Sequence, residues 1–143
     1  MNISRKWDSI SQIELMGFLS IPMARKVFKG EAKLTMDVAQ FLSEQSILGN
    51  LKAIWFHTAN EISRNDNSSY GMKLRMQGKL RGTPDFSFLW DGGSAFIELK
   101  STKGRLSPHQ ETFRKWCKEM NVPYAIVNDL NQLFPLLHEW GVL

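Results

Sequence analysis

The chain has 143 residues, enough for one domain that buries its core without disulfide or metal staples. Apolar residues make up 43% and charged residues 22%, an ordinary globular mixture that argues against disorder and against a coiled coil, and no apolar run is long enough to span a membrane. Eighteen Lys and Arg against fourteen Asp and Glu leave a net charge of +4 and a pI near 9.3, which suits a polyanionic partner without requiring one. The start, Met1-Asn2-Ile3-Ser4-Arg5-Lys6, leads into mixed polarity and not into an apolar signal core. A single cysteine, Cys117, allows neither an internal disulfide nor a multi-Cys zinc site, so a soluble protein of a reducing cytoplasm is expected.

Taken in chain order, residues 7–19 space Trp7, Ile10, Ile13, Met16 and Leu19 three apart, which predicts an amphipathic helix that Pro22 interrupts. A basic connector with Arg25, Lys26 and Lys29 leads to Gly30. Over residues 31–47, Leu34, Val38, Phe41 and Leu42 share one face of a second helix, ended by Gly49-Asn50. Ala53-Ile54-Trp55-Phe56-His57 is rich in strand formers. Residues 63–69 are almost wholly polar and predict a loop, followed by a short helix over Tyr70–Met76 and a turn bounded by Gly78 and Gly82. Phe86–Trp90 and Ala95–Lys100 are two strands of a hairpin around Asp91-Gly92-Gly93-Ser94. Ser107-Pro108 then opens a helix of about twelve residues, with Ser at the N-cap and Pro at the first helical position. Val122–Val127 is a further strand, and Leu130, Leu133, Phe134, Leu137 and Trp140 mark a last helix. This order predicts an α/β sandwich around a small mixed sheet.

The hairpin segregates its side chains. With Gly92-Gly93 as a two-residue turn, Asp85 faces Lys100, Ser87 faces Glu98 and Leu89 faces Phe96. One face is then apolar (Phe86, Phe88, Trp90, Ala95, Ile97, Leu99) and the other carries Asp85, Ser87, Glu98 and Lys100. Asp85 and Glu98 become diagonal neighbours, within about 7–8 Å at the backbone, where two carboxylates converge on one divalent cation. Oxygen-only donors suit Mg²⁺. The same alternation also reads as a hairpin with one wet face and an ordinary Asp85–Lys100 ion pair, and a one-residue slip of the turn would undo the geometry.

Gly82-Thr83-Pro84-Asp85, twelve residues, then Glu98-Leu99-Lys100 resembles the PD-(D/E)XK signature of restriction-endonuclease-like nucleases. Lys103-Gly104-Arg105-Leu106-Ser107-Pro108-His109-Gln110 is similar to the stretch that follows Glu-x-Lys in the VRR-NUC (virus-type replication-repair nuclease) family. Asn60-Glu61, Gly78 and Gly82 also resemble that family, and the likeness spans about residues 31–127. The resemblance implies a restriction-endonuclease-like fold, a central mixed sheet flanked by helices, in a single domain over 1–143 with a helical extension over 1–30 and the nuclease core over 31–143. It also implies that Asp85 and Glu98 bind Mg²⁺ or Mn²⁺, that the Leu99 carbonyl is a further ligand, and that Lys100 is the motif lysine beside the attacking water.

Gln110 matches the family's helix glutamine near the metal; Ser107-x-x-Gln110 is equally a capping box. An acid on an early helix completes such sites. Glu31 stands where that acid is expected, and Glu61 is its rival; either is also an ordinary helix charge. From Arg64 to Arg81 five basic residues face one acid, Asp66. Lys73, Arg75, Lys79 and Arg81, with Lys103 and Arg105, are the strip expected to meet a DNA backbone, extended by Arg114, Lys115 and Lys118. Tyr70 stacks on a base or simply packs. His57, His109 and His138 lack zinc-like spacing. Cys117, Trp7, Trp55, Trp90 and Trp140 read as core, and no phosphate loop suggests a nucleotide cofactor.

The expectation is therefore a metal-dependent DNA endonuclease of phage type. It would select branched or junction DNA in replication, repair or recombination, in the cytoplasm of a bacterial host. A homodimer would place two such sites on paired strands, and the first helix is one candidate for its interface. The alternatives are a non-cleaving nucleic-acid-binding module and a subunit active only with a partner protein.

Overall fold

The computed structural model describes residues 10–19, 28–59 and 69–143. Its elements are α1 (Gln12–Phe18), α2 (Gly30–Ile47), β1 (Ile54–His57), α3 (Ser69–Met76), β2 (Phe86–Trp90), β3 (Gly93–Leu99), α4 (Pro108–Glu119), β4 (Tyr124–Val127) and α5 (Leu133–Glu139), the last entered through a 3₁₀ turn over Leu130–Gln132. Trp7 and the connector residues Arg25 and Lys26 lie outside the described residues, as do residues 63–68 of the polar segment.

The four strands form one mixed sheet in the order β1-β2-β3-β4. β1, β2 and β3 run antiparallel, and β4 joins β3 in parallel. The α4 crossover makes that parallel step. The α/β architecture agrees with a restriction-endonuclease-like fold.

One face of the sheet presents Phe86, Phe88, Ile97, Leu99 and Val127 to Val38 and Leu42 of α2 and to Leu133 and Leu137 of α5. These residues are essentially fully buried. Leu34 and Phe41 of α2 pack at the edge of this core, as their spacing predicts. Trp55, Trp90 and Trp140 border it too, with the Trp90 and Trp140 rings stacked 6.3 Å apart. On the opposite face, Phe113 of α4 meets Phe96 of β3 edge-on at 5.2 Å, and Cys117 is buried behind it. Helices thus cover both faces. α1 behaves differently from the amphipathic expectation. It lies against α2 but buries none of its side chains, and Ile13 and Phe18 are 81% and 83% exposed.

The hairpin register corrects the one expected. Trp90 pairs with Gly93, Leu89 with Ser94, Ser87 with Phe96 and Phe86 with Ile97. Asp91-Gly92, not Gly92-Gly93, forms the turn, with Gly92 at φ +86°. Gly93 has another role: a β-carbon there would fall 2.4 Å from the Trp90 indole and would displace that ring. The register differs from expectation by two residues, an even number. Every side chain therefore keeps its expected face while its partner changes. One step beyond Phe86↔Ile97, Asp85 stands opposite Glu98 and not opposite Lys100.

Candidate active site

The hairpin's open end carries the polar cluster. Asp85 precedes β2, Glu98 and Leu99 close β3, and Lys100 follows at once. Asp85 is half-buried, and its Oδ2 accepts a hydrogen bond from the Leu99 N–H at 2.7 Å. Its backbone carbonyl accepts from the Thr58 N–H at 2.9 Å and lies 2.8 Å from His57 Nδ1. Burial raises the Asp85 carboxyl above its ordinary range, and the Leu99 amide and the charges of His57 and Lys100 partly offset this.

Glu98 is 1% exposed. A buried carboxylate is tolerated only with close partners. Its Oε1 lies 3.0 Å from the Lys100 ammonium and accepts a short hydrogen bond from Gln110 Nε2. Its Oε2 is buried and has no hydrogen-bond partner among the described residues. Burial first, then the Asp85 carboxylate, push the Glu98 carboxyl up to about 7. Lys100 also reaches Glu31 of α2 at 3.8 Å, so its ammonium stands between a buried and a half-exposed carboxylate.

Gln110 reconciles its two sequence readings. Its Oε1 accepts from the Ser107 N–H at 2.8 Å, and its backbone N–H donates to Ser107 Oγ at 3.3 Å, which is a reciprocal capping box. The amide nitrogen of the same side chain is left for Glu98. The cap thus fixes the rotamer that holds the carboxylate. Gly82 fixes the distance between the motif loop and α4. Its φ is +72°, and a β-carbon there would lie 2.4 Å from the His109 carbonyl carbon and 2.5 Å from the Gln110 nitrogen. The loop backbone therefore rests on the first turn of the helix.

Asp85, Glu98, Lys100, Gln110 and Glu31 accordingly converge from three parts of the chain. Leu99 joins them by its backbone alone, since its side chain is in the core. Glu61 lies outside the described residues. Lys73 and Arg75 occupy the last turn of α3, Lys79 and Arg81 the turn leading to Gly82, and Lys103 and Arg105 the loop before α4. Lys73, Lys103 and Arg105 are exposed.

Two residues near the carboxylates escaped the sequence reading. His57 has no zinc pattern in the sequence, yet the strand pairing His57↔Phe86 brings its ring to the Asp85 backbone. Tyr124 pairs in register with Phe96, and its hydroxyl is buried without a hydrogen-bond partner among the described residues. Burial and the nearby Glu98 carboxylate hold that phenol in its protonated form. The only sequence signal for His57 was its place at a strand end; β4 pairing gave none for Tyr124.

Among the described residues, no three His, Cys, Asp or Glu side chains are gathered around a point that would hold a metal ion. Lys100 separates Glu31 from Glu98, and the Leu99 amide occupies one Asp85 oxygen. The donor set nevertheless fits a hard divalent cation. Two carboxylates stand on adjacent chain segments, the donors are oxygens, and Glu98 Oε2 is buried without a partner. A cation there would satisfy that oxygen and lower the cost of ionising Glu98.

The sequence model of the VRR-NUC domain matches residues 58–129, half of the chain. The matched span runs from the end of β1 past β4 and contains Asp85, Glu98, Lys100 and Gln110; Glu31 lies before it. No curated protein and no solved structure matches the chain.

Proposed function

The chain belongs to the VRR-NUC family, a nuclease-type domain, and from that premise we propose that it hydrolyses DNA phosphodiesters with the help of Mg²⁺ or Mn²⁺. The observation that carries this reading is the pairing of Asp85 with Glu98 beside the Lys100 ammonium, with one Glu98 oxygen buried and unpartnered. Paired acids next to a lysine suit phosphoryl transfer; simple DNA binding has no use for buried carboxylates.

Asp85, Glu98 and the Leu99 carbonyl would hold the cation, with Glu31 or Glu61 completing its shell. The bound ion would supply Lewis-acid polarisation of the phosphate and a more acidic water. The protein's own groups do the rest. Gln110 keeps Glu98 in one orientation, so no reorganisation is needed when charge develops. Lys100 carries positive charge to the place where the attacked phosphate gains negative charge, and it is poised to orient the water. The basic groups Lys73, Arg75, Lys79, Arg81, Lys103 and Arg105 would seat the backbone and carry no sequence preference.

The finer features belong to this same proposal: 5′-phosphate and 3′-hydroxyl products, preference for branched or junction DNA, a role in phage-type replication or repair, and a homodimer that pairs two sites. No helix among the described residues is long and apolar enough to cross a membrane.

The test is cleavage of labelled linear duplex, single strand, flap, four-way junction and supercoiled plasmid, with Mg²⁺, Mn²⁺ or EDTA. Wild type should cut only with metal, and Lys100→Ala should slow cutting by roughly 10²- to 10³-fold or more, the usual loss for one transition-state donor. The ranking of substrates gives the structural preference. Binding without cutting under every metal would overturn the catalytic reading.

A further inference from the structure

A groove of about 290 Å³ lies between one flank of α4 and the loop before Gly82, lined by Leu80, Arg81, His109, Thr112, Phe113 and Trp116. Its position follows from Gly82. Because that glycine rests on the His109–Gln110 backbone, the preceding Leu80 and Arg81 form one wall and α4 forms the other. The groove therefore starts on the same helical turn whose Gln110 holds Glu98. At 1.5 Å per residue, Phe113 and Trp116 lie about 4.5 and 9 Å along the axis from Gln110. Nucleotides on a stacked strand are about 3.4 Å apart. Phe113 and Trp116 thus lie about one to three nucleotide spacings along α4 from the residue that holds Glu98.

Trp116 is 54% exposed and Leu80 46%, so both present apolar surface to the groove. The indole is nevertheless held. Phe113 meets it edge-on at 6.1 Å, and the same Phe113 meets Phe96 edge-on at 5.2 Å, two residues from Glu98. The lining contains an arginine and a histidine but no carboxylate, and the nearby Glu111 is turned to Arg114 at 2.9 Å. An apolar slot with an arginine and a histidine at its rim complements a nucleobase flanked by phosphates.

We propose that this groove takes one unpaired nucleobase, stacked against Trp116, from the strand whose phosphate lies at Asp85 and Glu98. The ligand class rests on the nuclease reading above. A base inside an intact duplex has both faces covered, so the groove selects DNA with an unpaired nucleotide next to the cut. Arg81 and His109 supply the rim that meets its edge or the adjoining phosphate.

A stacked base quenches an indole, which gives a test independent of metal and of cutting. In EDTA, a single-stranded thymidine oligomer should quench part of the tryptophan emission, and an abasic strand of the same length and charge should not. Trp116→Phe should remove that component, and Trp116→Ala should weaken binding of the thymidine oligomer by roughly 10- to 100-fold while leaving the abasic strand unchanged. Equal binding of the two strands, or quenching unchanged in Trp116→Phe, would overturn the proposal and leave the groove to a protein partner. A protein that fails to cut yet shows Trp116-dependent quenching would sink the nuclease reading while the groove assignment stands.

Discussion

Glu98 concentrates the electrostatics of the molecule in one side chain. Its carboxyl is raised to about 7 by burial and by Asp85, against an ordinary value of 4.5. A carboxyl raised by folding favours the native state when it is protonated. That contribution is fully present below pH 4.5 and is lost as pH rises through 7. Above pH 7 the metal-free protein carries a buried carboxylate that Lys100 and Gln110 only partly compensate. Glu98→Gln should therefore leave stability nearly unchanged at pH 4.5 and raise it by on the order of 2–3 kcal/mol at pH 8, measured by urea unfolding in EDTA. A gap between the two proteins that does not vary with pH would show that Glu98 is not desolvated as described. Residue by residue, the motif acids and Lys100 were legible in the sequence because their spacing is a covalent fact. Burial is not: Glu98 is buried because α4 folds across it, and nothing in Glu98-Leu99-Lys100 itself says so. The two readings of Gln110 are compatible because its amide oxygen serves the cap and its amide nitrogen serves Glu98.

At the level of elements, the site is an agreement between a hairpin and one helix. The hairpin's faces were legible because alternation has a period of two. Its pairing was not, because Asp91-Gly92 and Gly92-Gly93 both make tight turns and differ by two in register. The turn that forms puts Gly93 beneath the Trp90 ring, where a side chain would collide. The contact between Gly82 and α4 is the second half of the agreement. Gly82→Ala requires a positive φ and drives a methyl group into helix backbone, so it should cost roughly 2–4 kcal/mol in urea unfolding. Gly78 has φ +92° but nothing within 4 Å of an added β-carbon, so Gly78→Ala isolates the backbone term and should cost about 1–2 kcal/mol. The excess at Gly82 measures how tightly the loop and helix are pressed together. Equal losses at both positions would mean that the loop does not bear on α4. The first helix marks the limit of pattern reading at this scale. Three-residue spacing is present, but Ile13, Met16 and Phe18 of α1 stay exposed, because periodicity names a face without naming what covers it.

Across the whole molecule, a net charge of +4 is too small to hold DNA without being focused. Six basic residues flank the carboxylates along the chain: Lys73, Arg75, Lys79 and Arg81 before them, Lys103 and Arg105 after. The fold gives this linear arrangement a spatial meaning, since Arg81 adjoins the Gly82 contact with α4 and Lys103–Arg105 lead directly into that helix. Each phosphate neutralised releases counterions and contributes roughly −0.9 to the slope of log K against log salt on duplex DNA. If four to six of these groups engage, the slope for a duplex should lie at about −3.5 to −5.5. Replacing Lys103 and Arg105 together by alanine should flatten it by about 2. Lys118→Ala tests whether the strip extends along α4 as its sequence suggests: Lys118 stands two residues, about 200° around the helix, from Trp116, on the side away from the groove, and should leave the slope unchanged. Anisotropy titrations between low and moderate salt distinguish these cases. A slope unaffected by the double replacement but flattened by Lys118→Ala would move the DNA path to the side of α4 opposite the groove, and would separate binding from Lys103, Arg105 and Trp116.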